Sequence, residues 1–232
     1  MQDMLKLNNV AKSFTLYNQS GIQIPVFEGL SLSVEKGECV ALAGPSGMGK
    51  STLMRMIYGN YLCPAGAIDI RHRDTWVDIA SADPRVVLDI RRWTLGYISQ
   101  FLRVVPRVSA LDVVAEPLVG RGMKPDEARE HAAVMLGRLN LPESLWHLAP
   151  ATFSGGEQQR VNIARGFVAR YPVMLLDEPT ASLDKANREA VLTLIEEAKS
   201  DGVAVVGIFH DAETREAVCT REFLMSDFKK AA

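Results

Sequence analysis

Residues Gly44-Pro45-Ser46-Gly47-Met48-Gly49-Lys50-Ser51 fit the pattern G-x-x-x-x-G-K-[ST]. No other feature narrows the possible folds of this chain so far. The apolar run Cys39-Val40-Ala41-Leu42-Ala43 precedes the octet, and Leu53, Met56 and Ile57 follow at helical spacing. Strand, glycine-rich turn and helix therefore come in the one order that makes the pattern physically useful. The glycines let the backbone curl until successive N–H groups point inward, and the helix start adds its positive dipole end. Such a turn suits phosphate. Lys50 supplies a point charge, Ser51 a hydroxyl for a hard cation such as Mg²⁺, and Thr52 a further phosphate contact. Gly44, Ser46, Gly47 and Gly49 line the loop itself.

The rest of the chain reads as alternating strands and helices. Short apolar runs at 173–176 and 203–209 have the form of strands covered on both faces. Helical spacing marks 110–118, 126–139, 155–167 and 188–199, with Pro125 at a first helical position and Ala128, Ala132, Met135, Leu136 and Leu139 on one stripe. Period-two stretches at 5–10, 22–27 and 30–34, with a polar turn near 17–21, predict N-terminal strands. The implied fold is α/β: a parallel-rich sheet, antiparallel strands at the N-terminus and an inserted helical subdomain. Residues 1–232 make a single domain, with 1–100 and 153–232 as the α/β core and about 101–152 as the helical insert. The mixed charges of residues 71–92 predict a solvated face, with docking as the second reading.

Composition excludes several classes. Lys and Arg total 26 against 28 acids, a net charge of −2, which argues against nucleic acid or anionic lipid held by bulk positive charge. No run approaches a membrane helix, and the start of the chain lacks a secretory apolar core. The cysteines, Cys39, Cys63 and Cys219, are odd in number and fit no metal spacing, so they are expected to be free thiols in a reducing cytoplasm.

Two further segments bear on chemistry. The strand at 173–176 ends in Asp177-Glu178, a costly arrangement unless a cation lies nearby. Asp177 suits Mg²⁺ through water, and Glu178 suits a general base for an attacking water. Phe153-Ser154-Gly155-Gly156-Glu157-Gln158 opens a helix with a Ser-Gly-Gly turn, a second anion-suited helix start.

These motifs, with the lone Gln100, Ser182-Leu183-Asp184 and His210, occur in the order and spacing of the ATP-binding-cassette ATPases. The chain resembles that family from about residue 4 to 225. The resemblance implies ATP and Mg²⁺ as cofactors and a head-to-tail dimer that sandwiches ATP between the loop of one copy and the signature of the other. It implies that Phe14, or less favourably Tyr17, stacks on adenine. Gln100 senses Mg²⁺ and the attacking water, and His210 contacts the γ-phosphate. Ser154, Gly155, Gly156 and Glu157 contact the ATP of the partner copy, and Asp184 crosses the interface. Stretches around 76–78, 100–111, 145–167 and 207–211 closely resemble the PhnL-type cassettes of the bacterial carbon–phosphorus lyase (phosphonate) pathway. That resemblance implies a cytoplasmic ATPase subunit acting with carbon–phosphorus lyase core proteins and the related ABC protein PhnK. It further implies that ATP hydrolysis here supports the conversion of an alkylphosphonate to ribose 1-phosphonate 5-triphosphate. The alternative is the nucleotide-binding subunit of a membrane importer, and the apolar Phe101, Leu102 and Val105 near the coupling surface suit either partner.

Overall fold

The computed structural model describes residues 2–16, 21–102 and 106–228. Among them, strands β6 (Leu95–Ile98), β7 (Val173–Asp177), β8 (Ala204–Ile208), β3 (Cys39–Ala43) and β9 (Arg221–Leu224) form a parallel sheet in that order. An antiparallel sheet runs in the order β2 (Ile22–Glu35), β1 (Asp3–Leu16), β4 (Ala65–His72) and β5 (Thr75–Asp78). The fold class is the expected one. No helix among the described residues is long and apolar enough to cross a membrane.

The continuous apolar runs follow from burial on both faces. Val40 and Leu42 of β3, with Val173 and Leu175 of β7, share a core with the antiparallel sheet's Leu5, Leu7, Ile68 and Ile70 and with helix α1 (Lys50–Ile57). The intervening Cys39, Ala41, Met174 and Leu176 face a second core. That core also takes residues of α3 (Ala110–Gly120), α4 (Pro125–Arg138), α6 (Gly155–Phe167) and α7 (Lys185–Ser200). Ala128, Ala132, Leu136 and Leu139 of the expected stripe are fully buried there, while Met135 is half-buried.

Some elements differ from the sequence reading. The two strands expected at 22–27 and 30–34 are one strand, β2. Between Phe27 and Leu30 it carries one residue more than β1, and Gly29 absorbs the extra residue at φ 71°. The Arg and Asp residues of 71–92 are exposed or half-buried, as a solvated face requires, but the stretch also carries structure. It contains the end of β4, all of β5 and most of α2 (Pro84–Trp93). The buried His72 lies 2.6 Å from Thr94 Oγ1 and 2.9 Å from Asp89 Oδ2, while the Arg91 Nε–H donates to Tyr58 O at 2.8 Å. These charges lock α2 to its neighbours. α5 (Glu143–Trp146), α8 (Ala212–Val218) and β9 are short, and their patterns are too brief to read from sequence.

The topology decides where function can sit. β6, β7, β8 and β3 lie side by side and point the same way, so the residues after each strand share one edge. Gln100, Glu178, His210 and Gly44 all follow those strand ends, where open α/β sheets bind ligands.

Candidate active site

The loop after β3 takes the backbone shape its glycines permit, with Gly44, Gly47 and Gly49 at φ 134°, 79° and 86°. Gly49 is doubly constrained, because a Cβ there would come within 2.4 Å of Val26 Cγ1 on β2. It stands at the N-cap of α1, where no side chain caps the exposed N–H groups. Ser46 is exposed on the loop, and Thr52 is half-buried in the first turn of the helix. The Lys50 ammonium folds over the turn and donates to the carbonyls of Gly44 at 2.6 Å and Pro45 at 3.0 Å. A cleft of about 420 Å³ opens beside it, lined by Gly44, Ser46, Lys50, His210 and Arg215 among others.

Asp177 closes β7 at only 3% exposure. It accepts from Ser51 Oγ at 3.2 Å and from the Tyr97 hydroxyl at 3.1 Å. Burial pushes its carboxyl above the ordinary range, more than these two hydrogen bonds lower it. The Tyr97 hydroxyl is likewise pushed up, by burial and then by the Asp177 charge.

Glu178 follows at φ 55°, an uncommon conformation for a side chain of this size. Three contacts hold the turn in place. The Glu178 N–H donates to Ile208 O at 3.0 Å, and Gln159 Nε2 donates to the carbonyls of Glu178 and Pro179 at 3.4 and 3.2 Å. The carboxylate then bridges two other strand ends. Its Oε2 accepts from Gln100 Nε2 at 2.9 Å, and its Oε1 stands 2.6 Å from His210 Nε2. A carboxylate so held can orient a water and take its proton.

The Ser-Gly-Gly segment forms a complete capping box. Glu157 Oε2 accepts from both the N–H (2.8 Å) and the hydroxyl (2.7 Å) of Ser154, and these bonds hold its carboxyl below the usual range. A Cβ on Gly156 would meet Ser182 O at 3.1 Å, while Gly155 faces open space. Asp184 is the N-cap of α7, accepting from the backbone and side-chain nitrogens of Asn187 at 2.9 and 2.8 Å. Within the chain no hydrogen bond or ion pair among the described residues joins Ser154, Glu157 or Asp184 to Lys50, Asp177 or Glu178.

Phe14 stands on β1 with its ring edge-on to Tyr61 at 5.7 Å and Lys12 Nζ 5.1 Å from its centre. Tyr17 and Val105 lie outside the described residues. Three site residues escape the sequence reading: Tyr97, Gln159 and Asn162, whose Nδ2 donates to Ser99 O at 2.6 Å just before Gln100. Gln159 and Asn162 are i, i+3 neighbours on an otherwise buried face of α6, and a polar pair on an apolar face is the signal that marks them.

The family model described as "ABC transporter" matches residues 27–181. The chain belongs to the ABC transporter family of ATP-binding cassettes. This cassette is 35% identical over 222 residues to the lipoprotein-releasing system ATP-binding protein LolD of Idiomarina loihiensis, covering 95% of this chain and 94% of that one. It is 38% identical over 201 residues to the macrolide export ATP-binding/permease protein MacB of Hyphomonas neptunium, covering 86% of this chain and 30% of that one. Its fold matches the dimeric post-hydrolysis structure of the ATP-binding cassette MJ0796 bound to ADP and Pi. The TM-score is 0.87 at 30% identity, over 97% of this chain and 94% of that chain.

Proposed function

We propose that this cassette hydrolyses ATP as a head-to-tail dimer and works a partner carried on other polypeptides. The observation that carries the reading is the Glu178 carboxylate, clamped between Gln100 and His210 at the mouth of the phosphate loop. Glu178 receives the proton of the attacking water, Gln100 and His210 hold that carboxylate in line, and His210 reaches the γ-phosphate. Lys50 leaves its two carbonyls for the β- and γ-phosphates. The loop amides of Gly44, Ser46, Gly47 and Gly49, with Ser51 and Thr52, cradle the phosphate chain. Phe14 offers its ring to adenine.

An oxygen-only donor set fits Mg²⁺: the Ser51 hydroxyl, the buried Asp177 carboxylate and the amide oxygen of Gln100. The destabilised Asp177 charge is the observation that favours a cation there. When bound, Mg²⁺ neutralises charge on the β- and γ-phosphate oxygens. Among the described residues, no hydrogen bond or ion pair links Ser154, Gly155, Gly156, Glu157 or Asp184 to the phosphate loop of their own chain. These five serve instead the ATP held by a second copy, an arrangement supported by the dimeric state of the MJ0796 cassette.

Two readings of the partner have separate support. The relatives' names weigh toward a membrane transporter, since they describe a lipoprotein-releasing system and an export protein that includes its own permease. The phosphonate reading rests on the resemblance of residues 100–111 and 145–167 to PhnL-type cassettes. Phe101, 71% exposed beside Gln100, suits a docking contact in either case.

Glu178→Gln should bind ATP, lose hydrolysis and elute as a dimer with ATP. Hydrolysis at the wild-type rate would overturn the base assignment. Recovery of the tagged chain from phosphate-starved cells identifies the partner. Co-purification with a permease from membranes supports transport. Co-purification with soluble proteins, together with failure of the Glu178→Gln strain to grow on an alkylphosphonate as sole phosphorus source, supports the phosphonate assembly.

A further inference from the structure

Cys39 and Cys219 are 180 positions apart in sequence, yet their sulfurs stand 3.7 Å apart. Cys39 opens β3, the strand that feeds the phosphate loop, and Cys219 is the C-cap of α8. The backbone around the pair is held on both sides. The Thr220 N–H and hydroxyl each donate to Cys39 O at 2.8 Å, and the Cys39 N–H donates back to Thr220 Oγ1 at 3.2 Å. The two thiols are also unequal. Cys39 is fully buried, while Cys219 is partly open to solvent. Cys39 Sγ–H donates to Cys219 Sγ. That bond, followed by the nearby Lys199 ammonium, holds the Cys219 thiol below its ordinary range despite partial burial, whereas the Cys39 thiol is pushed up.

We propose that Cys39 and Cys219 form an oxidisable dithiol, with Cys219 attacking a peroxide and Cys39 resolving the product into an intrachain disulfide. The Cys219 thiolate attacks one peroxide oxygen, the O–O bond breaks, and Cys219 becomes a sulfenic acid while the departing hydroxide takes up a proton to leave as water. The Cys39 sulfur then attacks the Cys219 sulfur, the S–O bond breaks, and a second water leaves with the Cys39 proton. Two thiols lose two electrons and two protons, and one hydrogen peroxide becomes two waters. The sulfurs must close from 3.7 Å to a bond length of about 2.0 Å. Cys63 provides an internal comparison. It packs in the other core, donates to Ala65 O at 3.1 Å, and its thiol is pushed up by burial. The bond would tie the strand entering the phosphate loop to the helix that follows His210.

The test is to expose the purified full chain to hydrogen peroxide, alkylate the remaining thiols, digest it with trypsin without reductant and weigh the peptides. The expected product links peptides 37–50 and 216–221, two hydrogens lighter than their sum. It runs as a monomer, is reversed by dithiothreitol and leaves Cys63 alkylated. In Cys39→Ser, Cys219 should persist as a sulfenic acid that dimedone captures, and Cys39→Val serves if the serine variant misfolds. Three results would each overturn the proposal: sulfinic acid at Cys219 with Cys39 still alkylatable after unfolding, cross-links between two chains, or oxidation of Cys63 ahead of the pair.

Discussion

His210 Nε2 stands 2.6 Å from Glu178 Oε1. The contact joins the residues that follow β8 and β7, two strands paired directly in the sheet. His210 is 62% exposed at its side chain and Glu178 only 17%, so the histidine forms the solvent wall of the carboxylate. Removing the imidazole should free one oxygen of Glu178 and, in the proposed mechanism, take away a γ-phosphate contact. His210→Ala is expected to lower kcat about a hundredfold while changing KM for ATP far less. Steady-state ATPase assays check this, and an unchanged kcat would confine His210 to a surface role.

Asp177 should trade stability for function. Its carboxyl is raised by burial, so the nucleotide-free fold binds that proton more tightly than the unfolded chain does. The associated stability is full below the ordinary carboxylate range and is lost as pH rises through the raised value. Asp177→Asn removes this loss. The nucleotide-free variant should melt about 2–4 °C higher than wild type near neutral pH, the shift expected from ~1 kcal/mol in a chain of this size. Near pH 4 the gain should vanish, and Mg²⁺-dependent hydrolysis should be lost at every pH. Thermal melts from pH 4 to 8 with parallel ATPase assays provide the comparison.

Glu157 fills the anion position of the signature helix with its own carboxylate, bonded to the Ser154 hydroxyl at 2.7 Å. In the proposed dimer that hydroxyl would turn outward to meet a partner's phosphate. Glu157→Gln keeps the capping box but removes a like charge. ATP-dependent dimerisation, measured by sedimentation in the Glu178→Gln background, should tighten by about two- to fivefold, equivalent to ~0.5–1 kcal/mol at an exposed site. Weaker dimerisation would mean that the charge itself assists assembly.

Cys219 and Cys63 should alkylate in a fixed order. The first thiol is lowered by its bond from Cys39, and the second is raised by burial. Only the thiolate reacts, so the pH profile for Cys219 should have its midpoint below the ordinary thiol range and that for Cys63 above it. Iodoacetamide labelling followed by peptide mapping from pH 6 to 10 reads both curves. Cys39→Val removes the donor and should shift the Cys219 midpoint upward.

Much of the molecule is legible before any coordinates. The glycine-rich turn between strand and helix, the acids after residues 173–176 and the Ser-Gly-Gly helix start are local patterns, and local patterns specify local structure. Short elements such as α8 and β9 are not legible, because a few residues carry no measurable period and their place is fixed by pairing with β3 and packing on α7. Tyr97, Gln159 and Asn162 escape for a related reason. Each acts on an atom far away in sequence, with Gln159 reaching the carbonyls of Glu178 and Pro179 from another element.

The sequence by itself determined that this chain binds phosphate on a strand–turn–helix unit within an α/β fold, because backbone curvature and charge at that spacing depend on nearby residues alone. Tertiary structure decided the rest. The parallel order β6-β7-β8-β3 set Gln100 and His210 around the Glu178 carboxylate, and the pairing of β3 with β9 brought Cys39 to Cys219. The sequence placed those cysteines far apart and called for free thiols. They are free, but only sheet packing, which joins distant segments to cover apolar strands on both faces, could make them neighbours.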